Sequence, residues 1–140
     1  MTTPAPVQAV NIKDLIRYSP DARVNQPVLN SKDMITRINC YEPGQITPLH
    51  VHPDDDEVVF CIEGRGSLTF EQREAVPLTP GAVVNLPAGL PHRIEAASDS
   101  RMVVVYWALA RYTSIRMHNQ SGYSSVRQSG EQPPSPTGTP

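Results

Sequence analysis

The chain has no apolar run longer than nine residues. A membrane-spanning helix needs about 20, so none is expected. The start, MTTPAPVQAV, has neither a basic stretch nor a long apolar one, which gives no sign of a secretory leader. Lysine is nearly absent, with two residues against ten arginines, and the net charge is −2. That balance shows neither the basic footprint of a nucleic-acid binder nor a polybasic membrane patch. Cysteine is scarce too. Cys40 and Cys61 each sit inside an apolar run, as two reduced, buried thiols of a cytoplasmic protein would. Aromatic residues make up 6 % of the chain, and histidine occurs four times. Two of those four are one residue apart, in PLHVHPDDDEVVFCIEG (48–64).

At 140 residues the chain has the length of one domain. Residues 1–33 read as an N-terminal arm and edge segment, with a short helical turn in NIKDLIRYS before Pro20. From Met34 the texture changes. MITRINCY, VVFCIEG, GSLTF, AVVNLP and RMVVVYWAL are short and rich in β-branched and aromatic residues, and EPG, HPDDD, EGRG, LTPG and PAGLP punctuate them. This pattern predicts an all-β barrel or sandwich over residues 34–110. No helical pattern of ten residues lies between these runs, which argues against a parallel α/β sheet. Residues 111–140 form an extension, and from about 119 its Ser, Gly, Gln and Pro content predicts a loose tail.

Side chains alternate along a strand, so His50 and His52 share a face. The HPDDD turn brings the chain around, and Glu57 opens the next run, where a hairpin return would place its carboxylate beside both rings. LPAGLPH then supplies His92 after another Gly/Pro turn. Three imidazoles and one carboxylate suit iron, manganese, nickel, zinc or cobalt. They do not suit calcium or magnesium, which prefer oxygen. The Asp54–Asp56 run reads as a solvated turn whose negative field favours cation entry.

The spacing is a frame. Gly44 is followed by five residues, His50, one, His52, four, Glu57, six and Gly64; Gly81 is followed by five, Pro87, one, Gly89, two and His92. GQITPLHVHPDDDEVVFCIEG resembles the first cupin motif at every fixed position, and GAVVNLPAGLPH resembles the second through its histidine. The sixteen residues between them, Arg65 to Pro80, fit a small single-domain cupin. The second motif of that family ends in Asn, where this chain has Ala96. The resemblance implies a jelly-roll β-barrel holding one divalent transition metal, iron foremost, on His50, His52, Glu57 and His92. Four protein ligands on an octahedral ion would leave two positions open. It also implies a homodimer, which the apolar run MVVVYWALA supports as a strand covered on both faces.

Cupins host several functions, and fold alone does not choose among them. The expected function is a metal-dependent enzyme, of dioxygenase type first, acting on a small oxygenated organic substrate. A non-redox lyase, isomerase or decarboxylase is the alternative, and a binding or sensing module without turnover the third. No helix-turn-helix pattern precedes the barrel, so a repressor is disfavoured. Tyr41 and Tyr106 are the candidate catalytic acids or bases. Of Tyr106 and Trp107, adjacent in sequence, only one can face inward. Cys61 shares the face of Glu57 and either lines the pocket or packs the barrel. Asn85, polar in an apolar strand, points either to solvent or into the pocket.

Overall fold

The computed structural model describes residues 2–118 and 122–129, with the backbone alone given for His118 and for 122–129. Among the described residues, a 3-10 turn at Ile12–Leu15 precedes eleven strands. They are β1 (Val24–Asn30), β2 (Met34–Tyr41), β3 (Ile46–Val51), β4 (Glu57–Gly64), β5 (Gly66–Thr69), β6 (Val76–Leu78), β7 (Val83–Leu86), β8 (His92–Ala96), β9 (Met102–Leu109), β10 (Thr113–His118) and β11 (Gly122–Ser129).

The strands form two antiparallel sheets, in the orders β1-β2-β9-β4-β7 and β11-β10-β3-β8-β5-β6. The chain crosses between the sheets at seven of the ten connections between successive described strands, and the result is the all-β jelly roll expected. The arm reaches further into the fold than its loose composition suggests, because β1 pairs with β2 from Val24 to Asn30. Pro27 fits there, since β1 is an edge strand in the described sheet and proline is tolerated at edges. Of the tail expected to be loose, residues 119–121 and 130–140 lie outside the described residues. Its middle, Gly122–Ser129, forms β11 against β10, so pairing takes up backbone groups that composition alone leaves to solvent.

Two apolar clusters result, one on each face of the five-stranded sheet. The inner one fills the barrel with Tyr41, Val59, Cys61, Leu68, Leu78, Leu86, Ile94, Ala96, Met102, Val104 and Tyr106. The outer one joins Ile38, Cys40, Val103 and Val105, beneath Ile12, Leu15, Ile16 and Tyr18 of the arm. This explains the apolar run of β9. Met102, Val104 and Tyr106 face in, whereas Val103 and Val105 face out and are at most 2 % exposed under the chain's own N-terminal segment. The run is covered without a second copy. Trp107 takes the outer side with Phe60, ring centroids 6.4 Å apart, and Tyr106 the inner one.

Candidate metal centre

His50 lies on β3 directly opposite His92 on β8, and their ring centroids are 4.3 Å apart. His52 follows just beyond β3. Glu57 opens β4 in the other sheet and pairs with Leu86. Hydrogen bonds near the cluster dock the turn of the second motif onto the first. The Gly89 N–H donates to the His52 carbonyl at 2.8 Å, and the Ala88 N–H donates to Asp56 Oδ1, also at 2.8 Å. Asp56 further accepts from Asn85 Nδ2 at 3.3 Å, so exposed Asn85 belongs to this outer clamp and not to the pocket. Asp55 lies 3.4 Å from Arg111. The acidic turn is thus partly committed to holding loops.

All four residues are buried, at 5 % exposure or less. One ligand atom from each lies within 4.8 Å of every other. The orientation of the rings is set by backbone carbonyls. Nδ1 of His50 meets the Pro48 oxygen at 2.7 Å, Nδ1 of His52 the Thr113 oxygen at 2.8 Å, and Nδ1 of His92 the Leu90 oxygen at 2.9 Å. A carbonyl only accepts, so each Nδ1 donates and each neutral ring keeps its lone pair on Nε2. Carbonyl anchoring of this kind is how ligating histidines are held.

Nε2 of His52, Nε2 of His92 and Oε1 of Glu57 are buried with no hydrogen-bond partner. The two nitrogens stand 3.6 and 3.3 Å from Oε1, too long for good hydrogen bonds. Buried polar atoms are nearly always satisfied, and three orphans facing one another need a common partner. Nitrogen and oxygen ligands bind such ions at about 2.0–2.2 Å, so ligands on opposite sides stand roughly 4 Å apart. The cluster fits one transition-metal ion.

The electrostatics agree. Burial and the other two rings hold His50 well below its ordinary value, which keeps it a neutral ligand. Burial alone would lower His52, but the Glu57 carboxylate and the Thr113 carbonyl raise it on balance. Burial alone would raise Glu57, yet His52 and His92 hold it far below the usual carboxylate range. Without an ion, Glu57 is therefore an anion that draws positive charge to the cluster.

The other expected residues divide. The Tyr41 hydroxyl is fully buried and shares a 2.7 Å hydrogen bond with Thr47 Oγ1. Tyr106 is 3 % exposed and lies opposite Val59 on β4, diagonal to Glu57 on the same face. Its hydroxyl accepts from Asn25 Nδ2 at 3.2 Å. Cys61 is not in the ligand cluster. It packs in the inner core, its thiol 3.7 Å from the Glu63 carbonyl. Ala96, in place of the motif's Asn, is also inner core, and its N–H donates to the Gln45 carbonyl at 3.0 Å. That strand end holds without the missing amide.

Sequence reasoning passed over Tyr112. It is 1 % exposed and its ring centroid lies 4.7 Å from that of His52. It falls in the stretch assigned to the C-terminal extension. No spacing signal placed it, because β9 ends at Leu109 and a turn precedes Tyr112.

A family model described as "Cupin domain" matches residues 37–108. The chain belongs to the cupin family. Over 63 residues it is 36 % identical to quercetin 2,3-dioxygenase of Bacillus subtilis, covering 45 % of this chain and 18 % of that one. Over 113 residues it is 29 % identical to acireductone dioxygenase of Gluconobacter oxydans, covering 74 % and 59 %. This cupin thus spans about a fifth and about three-fifths of those two relatives. Among solved structures, TT1209 from Thermus thermophilus superposes with a TM-score of 0.69 at 29 % identity, over 74 % of this chain and 97 % of that one. Among the described residues, no helix is long and apolar enough to cross a membrane.

Proposed function

We propose that this cupin is a metal-dependent enzyme that acts on a small oxygenated organic substrate with dioxygen. The observation that carries the metal reading is the convergence of the orphaned Nε2 and Oε1 atoms. The likeness to two dioxygenases supports the oxygen-using branch. His50, His52, Glu57 and His92 would hold the ion, iron first, with manganese, nickel, zinc or cobalt as alternatives. When bound, it supplies Lewis acidity and, if it is iron, one-electron chemistry with dioxygen.

The chain's own residues would bind substrate and manage its protons. Tyr106 is the better placed of the two tyrosines. Burial and the Glu57 charge raise its hydroxyl, so it stays protonated and serves as a donor. Burial likewise raises Tyr41, but that hydroxyl is engaged with Thr47 and acts as a support. Tyr112 packs against His52 and walls off water.

The test is elemental analysis of the purified full chain beside His50→Ala/His92→Ala, together with an oxygen-electrode screen of small hydroxy, oxo and phenolic compounds. Near-stoichiometric iron that the double variant loses, together with oxygen uptake, is expected. Manganese, nickel or zinc without oxygen uptake would move the reading to lyase or isomerase chemistry. A folded wild type that takes up no transition metal would overturn the assignment of the cage.

A further inference from the structure

The inner face of the five-stranded sheet is not apolar throughout. Toward β1 it carries Arg23 and Asn25, and on β2 it carries Arg37 and Asn39. These side chains form one network with Tyr106. Arg23 Nη1 donates to Asn39 Oδ1 at 3.0 Å. Asn25 Nδ2 donates to the same oxygen at 2.6 Å and also lies 3.2 Å from the Tyr106 hydroxyl. Arg37 Nε donates to Asn25 Oδ1 at 2.6 Å. Register gives the direction of the row. Arg37 lies opposite Tyr106, and Tyr106 opposite Val59, two residues from Glu57.

Resting on the cupin reading above, we propose that Arg37, held by Asn25 beside Tyr106, recognises an anionic group, a carboxylate foremost, on the substrate that reaches the metal centre.

Three observations support this. First, the network fixes one edge of the Arg37 guanidinium with a neutral amide and supplies no counter-charge. Among the described residues no carboxylate pairs with Arg37, and its two Nη groups have no protein partner. A planar guanidinium with one edge pinned and one edge open suits bidentate capture of a carboxylate. Second, Glu57, on the same sheet face, is turned to the histidines of the cluster and not to Arg37. A divalent ion would add positive charge, and an anionic substrate would offset it. Third, Arg37 stands near where the chemistry would occur, since it pairs across β2 and β9 with Tyr106, and Tyr106 pairs with Val59 on the face of Glu57. Arg37 is half-buried, so an entering ligand can reach it.

The test is titration of the 15N-labelled full chain, loaded with diamagnetic zinc, with sodium acetate and separately with acetamide. The Arg37 Nε–H resonance is followed by NMR at constant ionic strength. A saturable shift with acetate, at least tenfold weaker with acetamide, is expected. Arg37→Gln should weaken acetate binding, read on the His92 resonances, at least tenfold. Arg37→Lys should retain part of the preference, because charge persists without the fork. A Nε–H resonance that ignores acetate, or an Arg37→Gln variant that binds it as wild type does, would overturn the proposal. Because zinc also attracts acetate, the titration is repeated on metal-free protein, where only the guanidinium response should survive. That repeat also separates the two readings, since a chain that takes up no metal but shifts at Arg37 loses the cage and keeps the anion site.

Discussion

Gly64 ends β4 with φ +81°, and Gly44 precedes β3 with φ +77°. Both backbones lie in the left-handed region that a Cβ disfavours by roughly 1–2 kcal/mol. Their surroundings differ. A Cβ on Gly44 would have nothing within 4 Å, whereas one on Gly64 would overlap the backbone carbonyl of Arg101. Gly64 pairs with Met102 on β9, so the collision can be relieved only by parting the two strands at that end. Gly44→Ala should therefore cost the conformational term alone, about 1 kcal/mol. Gly64→Ala should add local backbone strain and one or two ladder hydrogen bonds at about 1 kcal/mol each, for a total of roughly 3–4 kcal/mol. Against a typical domain stability of about 5–15 kcal/mol, the first variant should fold normally and the second only marginally. Equilibrium urea unfolding measures both, and equal m-values would show that the denatured states are comparable. A Gly64→Ala loss no larger than that of Gly44→Ala would refute the argument, because it would mean that β4 and β9 do not approach closely there.

Three further outcomes are expected. Zinc or manganese at one hundred times its dissociation constant should stabilise the chain by about 2.7 kcal/mol, or about 8 °C at roughly 3 °C per kcal/mol; scanning calorimetry should show this shift absent in His50→Ala/His92→Ala, and a retained shift would place the ion elsewhere. Burial pushes the Cys61 thiol up to about 11, from 9.0, so the unfolded chain loses this proton first as pH rises. Stability from this group is complete below pH 9 and is lost between 9 and 11; urea midpoints should fall there less steeply in Cys61→Ala, and native Cys61 should resist iodoacetamide at pH 8. Removing Leu15 from the arm exposes part of the outer cluster around Val103 and Val105; Leu15→Ala should cost about 1–2 kcal/mol, and an arm truncation should raise dye binding to the uncovered sheet face, whereas an unchanged midpoint would mean that the arm does not pack there.

The buried cluster was legible because its geometry is short-range. His50 and His52 are fixed by alternation, Glu57 by one turn, and His92 by a second turn that Gly89 and Ala88 dock onto the first. Most strands from Met34 to Leu109 were legible as short β-branched runs with Gly, Pro or Asp nearby, namely β2, β4, β5, β7 and β9, together with the histidine strand β3; the short β6 and the polar β8 were not singled out. What could not be read depends on pairing between distant segments. β1 contains a proline and no clear alternation, yet it becomes a strand because β2 offers it a backbone edge. The apolar run of β9 suggested a second subunit, because no spacing rule shows that Ile12, Leu15 and Ile16 fold back over Val103 and Val105. Tyr112 acquires its place only through the turn after β9, which also delivers the Thr113 carbonyl to His52.

The same distinction separates what the two sheets contribute. Three residues of the cluster, His50, His52 and His92, come from β3, the turn just after it and β8; the fourth, Glu57, comes from the opposite sheet. The motif therefore encodes a bridge between sheets, and an ion bound there would tie them together. The polar wall lies wholly on Glu57's sheet, where Arg37 and Tyr106 meet through the register of β2 and β9 rather than through any spacing along the chain. Arg37 lies outside the cluster and supplies none of the carbonyls that anchor its rings. On the proposed reading, metal binding and choice of substrate would be physically separable in this barrel, because one would rest on short turns and the other on long-range strand pairing.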